Sequence, residues 1–102
     1  MARAANRLAE LGGGITLWQD GAETACVPLP IAGLMSDAPA AVVAGQAQAL
    51  VAAMAATGCA LNNAVMQHSL LALAVIPELR LTDLGLVDVR RFTLVDLFEG
   101  NT

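Results

Sequence analysis

Few residues of this chain can carry chemistry. They are one histidine, His68, two cysteines, Cys26 and Cys59, and the carboxylates Glu78, Asp83 and Asp88 of the C-terminal third. A water-activating metal centre needs several His, Cys, Asp or Glu ligands converging on one ion. A lone imidazole falls short of that, and such a histidine is more often a core or rim residue than a ligand. Cys26 and Cys59 lie far apart and have the paired spacing of neither a zinc site nor a redox dithiol. Each carboxylate has a plain role: Asp83 in a turn, Asp88 at a strand end, Glu78 solvated after Pro77. A general acid–base pair would need a pocket that perturbs both groups. The Gly-Gly-Gly run at 12–14 precedes an extended segment, whereas a dinucleotide fingerprint follows a strand and opens a helix. There is no Walker loop, and no serine sits in a nucleophile elbow. Residue chemistry therefore assigns no catalytic, cofactor-binding or metal-ligating position.

The 102 residues suffice for one small domain. Hydrophobic residues make up 57% of the chain but aromatics only 3%, so alanine and branched aliphatics must fill the core, and modest stability is expected. Charged residues are 14%, with no lysine and five arginines: Arg3, Arg7, Arg80, Arg90 and Arg91. A net charge of −4 argues against a nucleic-acid partner, since such partners select basic surfaces. Arg90-Arg91 is the one basic cluster, and two residues make no patch. From Ala38 to Pro77 there is no Asp, Glu, Lys or Arg. A membrane span needs about 20 consecutive apolar residues. The longest run, Ala49 to Leu61, holds Thr57 and Gly58 and is followed by Asn62, Asn63, Gln67, His68 and Ser69. A buried core or a covered interface is the better reading. Arg3, Asn6, Arg7 and Glu10 interrupt any signal-peptide pattern at the N-terminus, so the chain reads as cytoplasmic, with both cysteines as buried, reduced thiols.

The elements that would position these residues follow from local chemistry. Met1 to Leu11 reads as helix, with Arg3, Arg7 and Glu10 on one face and Ala5 and Leu8 on the other. The glycine run ends it. Ile15–Gln19 and Ala22–Leu29 flank Asp20-Gly21, a two-residue hairpin signal, and Trp18 packs on one face of that hairpin. In Val27–Asp37, Pro28 and Pro30 forbid helix, Gly33 turns the chain, and Ser36, Asp37 and Pro39 suit a helix start. Pro39 to Thr57 predicts a long helix with the apolar stripe Val43, Ala47, Leu50, Val51 and Met54. Its opposite face carries Gln46 and Gln48 but no charge, so it is either merely alanine-smooth or covered by something. Ser69 to Ile76 fits a buried strand or a helix equally well, and Pro77 ends it. A short strand, a turn at Asp83-Leu84-Gly85, a second extended piece and a final strand over Phe92–Leu97 complete the chain. The fold class is α+β: a small antiparallel or mixed sheet with two main helices packed on it, in a single domain over 1–102.

The string Leu29–Asp37, followed by a helix and then by Val75–Val89, resembles the C-terminal domain of bacterial adenine deaminase. Asn6–Ile15 is similar to the stretch leading into that strip in the family, and Gly58–Leu61 to the turn after the helix. These segments run in the family's order over almost the whole chain. The resemblance implies an amidohydrolase that converts adenine and water to hypoxanthine and ammonia, with a metal-activated hydroxide attacking C6 of the purine. It implies a divalent metal centre, manganese or iron, held in an upstream barrel domain. That domain, and the family's His-Asp-Ser-His-Asn segment, have no counterpart here, so no catalytic residue transfers to any position of this sequence.

Two departures stand out. Ala64-Val65-Met66 replaces a typical Pro-Phe-Met, and the long helix is alanine and glutamine where relatives carry charge. Met1 falls inside what resembles a domain, and a truncated α+β domain exposes a sheet edge or an apolar face. Self-association as a two-fold dimer is the expectation. The readings are a C-terminal fragment of an adenine deaminase, silent alone, whose other partner is the barrel domain and which meets adenine only in the full enzyme; a stand-alone interaction or small-ligand-binding domain; or a complete small enzyme with an unseen site.

Overall fold

The computed structural model describes residues 1–98 and Gly100. It is α+β, as expected, with strands divided between two antiparallel sheets. Contacts divide the chain into two compact units, Met1–Ala60 and Leu61–Thr102.

The first unit is a hairpin with helices packed against it. Helix α1 spans Ala2–Leu11 and ends at Gly12, whose N–H bonds Ala9 O while that of Gly13 bonds Leu8 O. Strands β1 (Gly14–Gln19) and β2 (Ala22–Pro28) pair antiparallel across Asp20-Gly21. Both turn residues have positive φ, 52° and 80°, the type I′ geometry that matches strand twist. Helix α2 spans Ala40–Ala56. Pro39, not Ser36 or Asp37, is its N-cap. The Ser36 hydroxyl instead accepts the Ala38 N–H at 3.0 Å, a local turn that competes with capping.

Alternation along the strands divides the hairpin's residues between two faces. Ile15, Leu17, Ala25 and Val27 share one, and Thr16, Trp18, Glu23 and Cys26 the other. The second face meets α1 through Arg7, so the first faces α2. Ala25, Val27 and Leu50 form the buried core of this unit. Inward positions on α2 are Val43, Gln46, Leu50, Ala53 and Met54, while Ala47 and Val51 are exposed. This corrects the expected stripe by part of a turn and moves Gln46 from the outer face to the packed one. A helix apolar on nearly every side has no amphipathic signal to orient it. In α1 the inward residues are Ala4, Arg7, Leu8 and Leu11, with Ala5 exposed.

The strip after β2 lies against the glycine run. Leu29 N–H donates to Gly13 O at 3.1 Å. A turn closed by the Ile31–Met35 bridge, with φ of 56° at Ala32 and 71° at Gly33, brings Gly33 onto Gly13. The apolar, donor-poor strip thus supplies a backbone surface on which the start of β1 rests.

In the second unit, the ambiguous stretch is neither a long helix nor a strand. Helix α3 (Ala64–Ser69) runs into a single 3₁₀ turn over Leu70–Ala72 and then irregular chain. Strands β3 (Leu79–Thr82), β4 (Gly85–Asp88) and β5 (Thr93–Val95) form an antiparallel meander. The last strand is shorter than expected, because Phe92 turns into it with φ 52°. Leu79, Leu81, Leu86 and Val95 share one face of this sheet.

Candidate functional site

The longest chain of linked polar side chains lies where α1 covers the hairpin. Thr16 and Trp18 are two apart on β1 and so point the same way. A register shift between Leu17 and Trp18 sets Trp18 opposite Glu23. The Trp18 indole N–H donates to Thr16 Oγ1 at 3.0 Å, and Thr16 donates in turn to Glu23 Oε2 at 2.9 Å. Arg7 Nε reaches the same oxygen at 3.2 Å, and Arg7 Nη1 reaches Glu10 at 3.5 Å. A buried indole N–H needs a partner, and the relay provides one. Glu23 raises the Arg7 pKa further, so the relay ends on a fixed ion pair and holds no proton poised for transfer. Its geometry clamps α1 to the hairpin. Sequence spacing gave no sign of it, since Arg7 and Glu23 meet only through the tertiary fold.

Cys26 lies on the same face. Burial pushes its thiol pKa up, the Glu23 carboxylate adds to this, and Arg7 partly opposes it. A protonated thiol is a poor nucleophile. The native state therefore binds this proton more tightly than the unfolded chain does. The associated stability is present below the unfolded thiol's pKa and is lost as pH rises through the native one. We expect the unfolding midpoint to fall as pH rises above about 9, and this component to vanish in Cys26→Ser, both measured by thermal melts across pH. Cys26 and Cys59 are both free and half-buried rather than fully buried.

The other singled-out groups stay apart. His68 is exposed, and its Nδ1 lies 2.8 Å from Ala64 O, within its own helix. Glu78 is engaged by Arg90 at 2.8 Å. Asp88 Oδ1 accepts the Arg90 and Arg91 backbone N–H groups at 3.0 and 3.1 Å, while Arg91 Nε approaches its other oxygen at 3.5 Å. The sole basic cluster is thus paired with carboxylates. Asp83 sits in the β3–β4 turn. Among the described residues no three of His, Cys, Asp and Glu come together, so this donor set does not fit a hydrolytic metal centre. No helix among them is long and apolar enough to cross a membrane.

Two separate units without a converging donor set describe a piece of a larger machine, and comparison with known proteins identifies which one. Residues 1–93 match the family model for the adenine deaminase C-terminal domain. The chain belongs to that family. It is 74% identical over 99 residues to an adenine deaminase of Ruegeria pomeroyi, covering 97% of this chain and 16% of that protein. It is 66% identical over its full length to an adenine deaminase of Roseobacter denitrificans, covering 17% of that one. An adenine deaminase of Moorella thermoacetica is 50% identical over 100 residues, 98% of this chain and 17% of that protein. The chain therefore spans about a sixth of the length of these curated relatives. No solved structure matches it. As an adenine deaminase C-terminal domain, the chain carries the relay, the glycine–strip contact and α2 inside its first unit, and the family match runs on into the second.

Proposed function

We propose that this chain is the non-catalytic C-terminal domain of an adenine deaminase. It works beside an amidohydrolase barrel domain that converts adenine and water to hypoxanthine and ammonia. The observation that carries this reading is the match of residues 1–93 to the C-terminal family. The scattered donors support it: among the described residues nothing converges to activate water. The divalent metal, manganese or iron, and the adenine site belong to the barrel. One family model crosses both compact units, which supports their serving as a single domain. The domain's partners are the barrel and a second copy of itself, and its exposed large apolar residues, such as Leu34 at 78% and Leu81 at 70%, support a role in contacts. The acidic charge and the carboxylate-paired Arg90 and Arg91 speak against nucleic acid, and two free thiols are in keeping with the cytoplasm.

Purified and supplied with manganese or iron, the chain should release no ammonia from adenine in a coupled ammonia assay. Turnover that a chelator removes and added metal restores would overturn the reading. An amidohydrolase reading frame directly upstream in the same gene supports it.

A further inference from the structure

The outward side of α2 is the least charged surface of the first unit. Ala47, Gln48, Val51, Ala52 and Ala55 line an open groove there of about 380 Å³. No Asp, Glu, Lys or Arg occurs on α2 or anywhere from Ala38 to Pro77. The unit's charged residues, Arg3, Arg7, Glu10, Asp20, Glu23 and Asp37, all lie on α1, the hairpin and the loop before α2. Val51 stands mid-groove at 57% exposure, with Ala47 and Ala55 one helical turn to either side.

Charge restricts what this surface can meet. The chain carries −4, so two copies repel wherever their acidic surfaces approach. An uncharged face can oppose itself without juxtaposing like charges, which a two-fold contact requires because it sets each residue against its own symmetry mates. Its one polar group, the Gln48 amide, both donates and accepts hydrogen bonds. The alanines allow helix axes to approach to about 8 Å, the close end of the usual range.

Area points the same way. Two separate compact pieces of the same combined mass would expose roughly 6,400 Å². The chain exposes 7584 Å², an excess that holds however its units are arranged. That excess, roughly 1,000 Å², is on the scale of one partner's share of a standard interface, about 800 Å².

We infer that the Ala47–Ala55 face of α2 is the two-fold contact between copies of this domain, the helices crossing at Val51. The inference rests on the self-association proposed above, which it makes specific. Wild-type chain should sediment as a species of twice its 10.4 kDa mass at high concentration. Val51→Glu, which sets two like charges face to face, should raise the dimer Kd at least tenfold while circular dichroism keeps the wild-type helix signal. In a Cys26→Ser/Cys59→Ser background, Val51→Cys should oxidise to a cross-linked dimer faster than a control thiol at Gln19→Cys, because facing Cα atoms of closely packed helices lie within disulfide reach. If Leu81→Glu dissociates the dimer and Val51→Glu does not, the copies meet through another face: the assignment to α2 falls and self-association stands. Cross-linking no faster than the control also overturns the assignment. A monomer at every concentration overturns both readings and leaves the barrel domain as the occupant of this face.

Discussion

Gly14→Ala is expected to cost the first unit about 3 kcal/mol or more, or to prevent its folding. At φ 142° Gly14 occupies backbone space that L side chains rarely adopt, and a Cβ built there drives into the Val27 carbonyl oxygen and approaches Pro28 Cα at 3.2 Å. These are backbone atoms of the paired strand, which no rotamer change can move aside. Relief would require breaking the Gly14–Pro28 end of the hairpin. Gly13→Ala is the companion case: at φ 123° its Cβ would come 2.6 Å from Gly33 Cα and 3.1 Å from Leu29 O. Gly12 provides the contrast within the same tripeptide. Nothing lies near its Cβ position, so Gly12→Ala should cost only the left-handed backbone penalty, about 1–2 kcal/mol. Urea unfolding of the three variants, followed by far-ultraviolet circular dichroism, should rank Gly12→Ala well above the other two. Equal stabilities would show that the strip does not press on the glycines as described.

The second large effect is expected at Leu50. It is 3% exposed and shares the unit's buried core with Ala25 and Val27 alone. A core of three residues, one of them alanine, has little to collapse into a void. Leu50→Ala should therefore cost about 2–5 kcal/mol, transfer and cavity terms together, a large fraction of the roughly 5–15 kcal/mol that folded domains typically possess. The neighbouring Val51→Ala, on the outward side, should change monomer stability by about 0.5 kcal/mol or less. Thermal melts at concentrations too low for association would separate the two positions. Comparable losses at both would mean that α2 is rotated relative to the orientation described here.

Much of the local structure was legible because the signals were local. Asp20-Gly21 closes a hairpin, Gly12 stops α1, and Asp83 begins the β3–β4 turn, each through backbone preferences that act over a few residues. The strip from Val27 was legible in shape but not in purpose. Its prolines announced extended chain, yet only the fold shows that this chain rests on Gly13 and Gly14. The stretch Ser69–Ile76 resisted assignment because a short apolar run has no period to read, and the structure resolves it into the end of α3, one 3₁₀ turn and loop. At the candidate site, the poverty of metal donors was plain from composition. The Trp18–Thr16–Glu23–Arg7 relay was not, because a register shift in the hairpin and the docking of α1 are both needed to close it.

The sequence by itself determined which turns and stops punctuate the chain and how few groups it has for chemistry, together with the segments that resemble an adenine deaminase C-terminal domain. These depend on residue identity and on preferences of neighbouring backbone, so they survive without knowledge of the fold. Tertiary structure alone decided which side of α2 turns inward, placing Gln46 and Leu50 against the hairpin and leaving Val51 outside. A helix of alanines and aliphatics is attracted to an apolar surface through almost any face. Only the shape of the strand pair beneath it, with Ala25 and Val27 buried there, selects one.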